Sequence, residues 1–388
     1  MSAPTERYQR EDNVIPYTRP DSAPERELLE QTSQPRLHIA VLAPPWIPVP
    51  PPGYGGIEEV VALLCDALVE HEHDVELFCA PGSQSRAHVH PLLDQAHPES
   101  IERALFEGDH DGRAFRALDA AARDGHPFDV VHDHSGYVAL AMGDRVATPM
   151  VHTVHGPFDQ DTKPYYTANG RNGAVVCISQ AQARMAPDPG IVDSVVYNPI
   201  DVDNWPVGYE KQDFLLWLGR MTAEKGPQRA IRVAKATGRP LVLAGPVQPG
   251  QQRFFSKEVE PHIDGETIRY IGEVGGARKQ RLFCDAFAFL MPIRWPEPFG
   301  MVMVEAMAAG TPVLAFPEGA APEVVEHGVS GYLVGDEDEM AAMVDQAGRL
   351  EPLQVRRSAE RFAPDRIAAG YEQVYRAAMQ REPAGALL

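Results

Sequence analysis

One alternation constrains the fold of this chain more than any other feature. A short, wholly apolar run is followed by a loop rich in glycine or proline, and then by apolar residues at helical spacing. LHIAVLA (Leu37 to Ala43) is the first such run; PPWIPVPPPGYGG is its loop and IEEVVALLCDALVEH its helix. DVELFCA, FDVVHDH, PMVHTVHG and AVVCIS continue the strand series. Runs of this length without polar alternation read as strands buried on both faces, as a parallel sheet requires. At YNPIDVDNWP (Tyr197 to Pro206) turn formers interrupt the pattern. It restarts with DFLLWLG, a helix in EKGPQRAIRVAKATG, then PLVLAGP, TIRYIGEV, RKQRLFCDA, FAFLMP, GMVMVEAMAAG and TPVLAF. The expectation is α/β: two doubly wound parallel domains, residues 36–204 and 205–360, after a low-hydrophobicity tail at 1–35 and before a last amphipathic helix at 364–380. Two such domains on a short linker would face a cleft lined by strand carboxyl ends, where open α/β sheets bind ligands.

Composition removes several classes of function. The net charge is −20, from 35 basic and 55 acidic residues, which argues against a nucleic-acid partner. No apolar run reaches the ~18 residues of a spanning helix, and no basic amphipathic helix suggests membrane association. Met1 to Gln34 is polar and lacks the apolar core of a signal peptide. The four cysteines (Cys65, Cys79, Cys177 and Cys284) are scattered through apolar segments without a CxxC pair. That suits buried thiols in a reducing cytoplasm rather than a disulfide framework.

Four clusters could carry chemistry. In RWPEPFGMVMVEAMAAGTPVLAF, Pro296 and Pro298 hold Glu297 outside a helix that can begin at Gly300 and end at Gly310 and Pro312. Glu305 then lies roughly 7–8 Å along that helix, and the free N–H groups after Phe299 form an anion site. Two carboxylates with an anion site between them suit a ligand with hydroxyls at both ends and phosphates in the middle. Glu305 falls in an apolar stretch and so needs a partner. In LGRMTAEKG, Arg220 and Lys225 leave a strand in a loop before a helix, where two cations suit a diphosphate; the bland alternative is ordinary surface charge. Gly55 and Gly56 directly precede a helix, which allows close approach of a phosphate, although the loop is not GxGxxG. In TVHGPFD, His155 ends a buried strand, while His152 sits earlier and reads as core. His132 and His134, with Asp133 between them, have a metal-pair spacing but not a full ligand set, so no metal is expected.

Together GYGGIEEVV, TVHGP, YNPID, LGRMTAEKG, EPFGMVMVEAMAAGTPV and PEVVEHGVSGYLV resemble the retaining glycosyltransferases of the GT-B fold, family 4 (glycosyl transferases group 1). The resemblance covers nearly the whole chain after the tail, and Glu297 to Glu305 matches that family's Glu-x7-Glu signature. It implies two Rossmann-like domains, the first on the acceptor side, the second binding a nucleotide-sugar donor, and a final helix that crosses back onto the first. It implies that Gly55 and Gly56 contact the donor diphosphate or sugar, and that His155 bonds the donor sugar near the reacting carbon. Arg220 and Lys225 would hold the diphosphate and stabilise the leaving charge. Glu297 would bind sugar hydroxyls, Phe299, Gly300 and Met301 would offer backbone amides, and Glu305 would hold the ribose. No cofactor or metal is implied. The expected activity is transfer of a hexose from a UDP- or GDP-sugar to a hydroxyl acceptor whose identity the sequence leaves open. A catalytically inactive nucleotide-sugar binder, a phosphorylase and a nucleotide-sugar epimerase are the alternatives; a phosphorylase would need a covalent cofactor lysine that the pattern does not offer. The chain departs from the family pattern at Glu72 and at Ala320, where relatives often have glycine, and Glu323 reads as a helix-start residue.

Overall fold

The computed structural model describes residues 35–53, 55–101 and 103–381. The tail assigned to residues 1–35 therefore lies, but for Pro35, outside the described residues. The chain forms two compact units. The first takes in the described residues up to Asp201, together with Pro296–Met301 and the chain from Arg361. The second takes in Val202–Trp295 and Val302–Glu360. Pro296–Met301 groups with the first unit rather than with its sequence neighbours because Phe299 is buried against the rings of Tyr197 and Phe362, at centroid distances of 5.9 and 5.4 Å.

The first unit is built on seven parallel strands: β1 (His38–Leu42), β2 (Asp74–Cys79), β3 (His88–Pro91), β4 (Val130–Asp133), β5 (Met150–Val154), β6 (Ala174–Cys177) and β7 (Val192–Val195). Their order is β3-β2-β1-β4-β5-β6-β7. Register sets Ile39 beside Val75 and Val130. Alternate residues of β1 serve different cores. Ile39 and Val41 pack with Val61, Leu64 and Leu68 of α1 (Gly56–Glu70) and with Tyr371 and Tyr375 of the last helix (Pro364–Met379). Ala40 and Leu42 pack with Ala114 and Leu118 of α2 (Ala104–Arg123). A strand covered on both faces has no position for a polar residue, which is why it reads as an unbroken apolar run.

The second unit has six parallel strands: β8 (Leu215–Leu218), β9 (Leu241–Ala244), β10 (Ile268–Tyr270), β11 (Ala288–Met291), β12 (Val313–Ala315) and β13 (Gly331–Leu333). The order is β10-β9-β8-β11-β12-β13. Helices α3 (Pro227–Thr237), α4 (Gly276–Asp285) and α5 (Met301–Ala308) lie between successive strands, and α6 (Glu337–Ala347) follows β13. Helix α5 ends where the sequence predicts. Thr311 N–H donates to the Ala306 carbonyl and Gly310 N–H to that of Met307, the paired bonds of a Schellman stop.

The last helix is tied to the first unit by an ion-pair cluster. His71, just after α1, bonds Glu372 through Nδ1 at 2.5 Å and Asp365 through Nε2 at 2.7 Å. His73 Nε2 lies 3.3 Å from the same Glu372 carboxylate. Between the two histidines, Glu72 takes a left-handed φ of 66°, at the position where the sequence departs from glycine. The bond to Glu372 raises the pKa of His71 to about 9, against the opposing effect of burial. Burial pushes Glu372 up, but the bonds from His71 and His73 outweigh it and bring its pKa down to about 2. These shifts are one interaction seen from both sides. The histidine contribution is fully present below its unfolded pKa of about 6.5 and is lost as pH rises through about 9. The glutamate contribution is present above about 4.5 and is lost as pH falls through about 2. Discounted for partial solvent exposure, the pair is worth roughly 1–2 kcal/mol. Melting at pH 9.5 should therefore fall a few degrees below melting at pH 6, and His71→Gln should flatten most of that difference. An equal pH difference in wild type and variant would contradict this assignment.

Candidate active site

Each sheet reverses its winding at one point, and open α/β sheets bind ligands beyond the strand carboxyl ends there. In the second unit the reversal lies between β8 and β11. The loop after β8 carries Arg220 and Lys225; the loop after β11 carries Trp295 and leads into Glu297. Arg220 is half-buried, and its guanidinium makes no hydrogen bond or ion pair among the described residues. Lys225 Nζ lies 4.6 Å from the centre of the Trp295 ring, which suits a cation–π contact. The loop is held from below. Trp217 Nε1 donates to the Lys225 carbonyl at 3.2 Å, and Arg294 N–H donates to that of Glu224 at 2.8 Å. Arg229 ties Ala223, Glu224 and Pro292 together through their carbonyls. Gly226 closes the loop with a φ of 83°, where a Cβ would come within 2.4 Å of the Pro292 carbonyl oxygen. A rigid loop thus presents two cations just before α3.

Glu305 sits in α5 with 8% of its surface exposed. The partner that its apolar surroundings demand is Lys279 of α4, whose Nζ donates to Oε1 at 2.7 Å. The other oxygen, Oε2, is sealed from solvent and accepts no hydrogen bond among the described residues. A buried carboxylate oxygen left in that state is costly unless a ligand hydroxyl completes it. Sequence reasoning missed Lys279. It is 26 residues upstream on an amphipathic helix, and only tertiary packing brings it to Glu305.

Within the first unit, Glu297 is half-buried, Phe299 buried and Gly300 buried with a φ of 87°. That left-handed turn lets the chain enter α5 at Met301, so the amides from Phe299 to Met301 lie at a helix start. Gly55 precedes α1 and Gly56 is its first residue. A Cβ on Gly55 would lie 2.6 Å from Pro51 Cβ, whereas one on Gly56 would meet nothing within 4 Å. Glu323 lies in the first turn of the short helix Ala321–Val324, directly after Ala320.

The histidines separate by partner. His152 is core: Nδ1 bonds Asp133 at 2.6 Å and Nε2 faces the Tyr166 hydroxyl at 3.1 Å. His132 bonds the Tyr375 hydroxyl and Thr153 Oγ1, at 2.7 and 2.8 Å. His134, just after β4, instead reaches His155, just after β5, with Nδ1 to Nε2 at 2.8 Å. His132 and His134 thus go to different partners despite their spacing. Among the described residues no group of three or more His, Cys, Asp or Glu side chains is placed to hold a metal. Burial, together with His152, lowers His155 to about 3, so its ring is neutral near pH 7.

Comparison with known proteins gives this arrangement a family. The model for "Glycosyl transferases group 1" matches residues 204–363, and that for "Glycosyltransferase Family 4" matches residues 54–204. The chain is 27% identical to the D-inositol 3-phosphate glycosyltransferase of Mycobacterium marinum, over 84% of this chain and 82% of that one. The crystal structure of AviGT4, a glycosyltransferase involved in avilamycin A biosynthesis, superposes with a TM-score of 0.67 at 30% identity, covering 90% of this chain and 99% of that one. Anabaena HepE, solved with UDP and glucose, shares the fold with a TM-score of 0.64 at 18% identity, over 88% of this chain and 100% of that one. With two such sheets, and with both family models matched in chain order, the protein belongs to the GT-B glycosyltransferases of family 4, group 1, and is a transferase enzyme.

Proposed function

We propose that this glycosyltransferase moves a hexose, with retention of configuration, from a UDP- or GDP-sugar to a hydroxyl acceptor. The observation that carries the donor assignment is Glu305: a buried carboxylate with one oxygen on Lys279 and the other without a partner among the described residues. A nucleotide ribose hydroxyl supplies the donor that Oε2 lacks. Arg220 and Lys225 then take the diphosphate and stabilise the charge that develops as the leaving group departs. Amides from Phe299 to Met301, with Glu297, serve the sugar, and His155 and the Gly55–Gly56 turn are assigned to the donor as well. Such an arrangement puts positive charge where other transferases use a divalent ion, so the reaction is expected to proceed without one. The solved complex of Anabaena HepE with UDP and glucose is consistent with a uridine donor. Four buried free cysteines suit a reducing compartment, in keeping with a cytoplasmic enzyme. Among the described residues no helix is long and apolar enough to cross a membrane.

A donor panel tests this reading directly. UDP- and GDP-hexoses are added to the protein in EDTA, and both melting temperature and release of free sugar are followed. One nucleotide sugar should raise the melting temperature and be hydrolysed slowly without acceptor. Stabilisation by a donor with no turnover under any condition would favour an inactive binder. Turnover that disappears in EDTA and returns with magnesium or manganese would overturn the metal-free mechanism.

A further inference from the structure

We infer that His134 is a positioning residue for His155, donating Nδ1–H to His155 Nε2 and so fixing the His155 proton on Nδ1. His155 then meets its ligand as a hydrogen-bond donor. The inference deepens the donor-sugar reading of His155 and rests on it.

Two neutral rings share one proton at this contact, and their hydrogen-bond partners decide which ring carries it. His134 Nδ1 and His155 Nε2 are 2.8 Å apart, so one of them carries the shared proton. His134 Nε2 is sealed from solvent and has no partner among the described residues. If His155 were the donor, His134 would have to carry its own proton on that sealed Nε2, leaving an orphaned N–H. Buried N–H groups without an acceptor are rarer in folded proteins than acceptors left short of a donor. With His134 as donor, only a lone pair is sealed, and the remaining proton of the pair sits on His155 Nδ1. Nothing among the described residues bonds that nitrogen, and it is not closed off from solvent. Burial and the neighbouring histidines lower both rings, which keeps imidazolium out of the account.

The last helix backs this pair. The His132 ring lies 4.0 Å from that of His134, centre to centre. His132 is fixed in turn by the Tyr375 hydroxyl and by Thr153, whose Oγ1 also bonds the Tyr371 hydroxyl at 2.9 Å. A ring braced in this way has little freedom to turn and exchange its nitrogens. With its Nε2 lone pair engaged by His134 and its proton on Nδ1, a neutral His155 offers a sugar oxygen a donor and no basic nitrogen.

The tautomer is read from nitrogen shifts in long-range proton–nitrogen spectra of protein labelled at histidine. The His155 signals are identified by their loss in His155→Gln. Wild-type His155 should carry its proton on Nδ1. His134→Leu, which cannot donate, should convert His155 to a mixture of tautomers, and His134→Asn, whose amide can donate from the same place, should restore the Nδ1–H form. Transfer by His134→Leu should fall about ten-fold, the worth of one hydrogen bond, and His134→Asn should recover most of it. A wild-type His155 protonated on Nε2 would overturn the proposal without any variant. An unchanged His155 tautomer in His134→Leu would overturn it as well. Full turnover in His155→Gln would instead sink the donor-sugar reading of His155, because the tautomer is measured independently of activity.

Discussion

Arg220→Ala is expected to slow glycosyl transfer by roughly 30- to 1000-fold, and Lys225→Ala by a similar factor, while melting stays close to wild type. The magnitude follows from a charge-assisted contact to a departing diphosphate, about 2–4 kcal/mol of transition-state stabilisation. The Arg220 guanidinium makes no hydrogen bond or ion pair among the described residues, so its removal breaks no structural contact there. Lys225 gives up its place over the Trp295 ring, a modest loss for the fold. The loop itself is held by Trp217, Arg229 and Arg294 and should survive either change. Values of kcat/KM with saturating acceptor, set beside melting curves, check the expectation. Wild-type turnover in either variant would mean that the loop is ordinary surface.

The second large effect separates the two glutamates of the signature. Glu305 is assigned to the ribose, which does not change during reaction. Its contact is equal in ground and transition states, so Glu305→Gln should raise the donor KM by roughly ten-fold with kcat little changed. Lys279 keeps an acceptor oxygen in that variant, which limits the loss of stability. Glu297 is assigned to the sugar that becomes oxocarbenium-like. Its contacts can strengthen as charge develops, so Glu297→Gln should lower kcat as well. The opposite pattern, a KM effect at Glu297 and a collapse of kcat at Glu305, would mean that sugar and ribose are placed the wrong way round.

The strands at the middle of each sheet are legible in the sequence because burial on both faces writes an unbroken apolar run. LHIAVLA at β1 and DFLLWLG at β8 are the clearest cases. Edge strands mostly lack that signature, β10 within TIRYIGEV being the exception. β3 is HVHP, β7 is VDSV and β13 is only GYL, and each lies at the border of its sheet. Half-exposed and short, they tolerate polar residues, and the apolar-run criterion passes over them. The candidate site divides in the same way. Arg220, Lys225, Glu297 and Glu305 stand in contiguous motifs whose prolines and glycines set their local geometry. Lys279 and His134 acquire their roles from packing between distant segments: Lys279 from the approach of α4 to Glu305, and His134 from the adjacency of β4 and β5. In sequence His132 and His134 have the spacing of a metal pair but not a full ligand set, and nothing there separates their roles. In the fold the two residues follow different paths, because β4 ends at Asp133 and His134 already belongs to the loop.

Retaining transfer from a nucleotide sugar shows itself in the anomeric form of the sugar at the moment of release. Proton NMR during the first minutes of donor hydrolysis, before mutarotation, distinguishes the two anomers. An α-linked UDP- or GDP-hexose should yield the α-hexose first, with the β form growing in only at the rate of spontaneous mutarotation. Initial release of the β-hexose from that donor would mean inversion, and the enzyme would not be a retaining transferase.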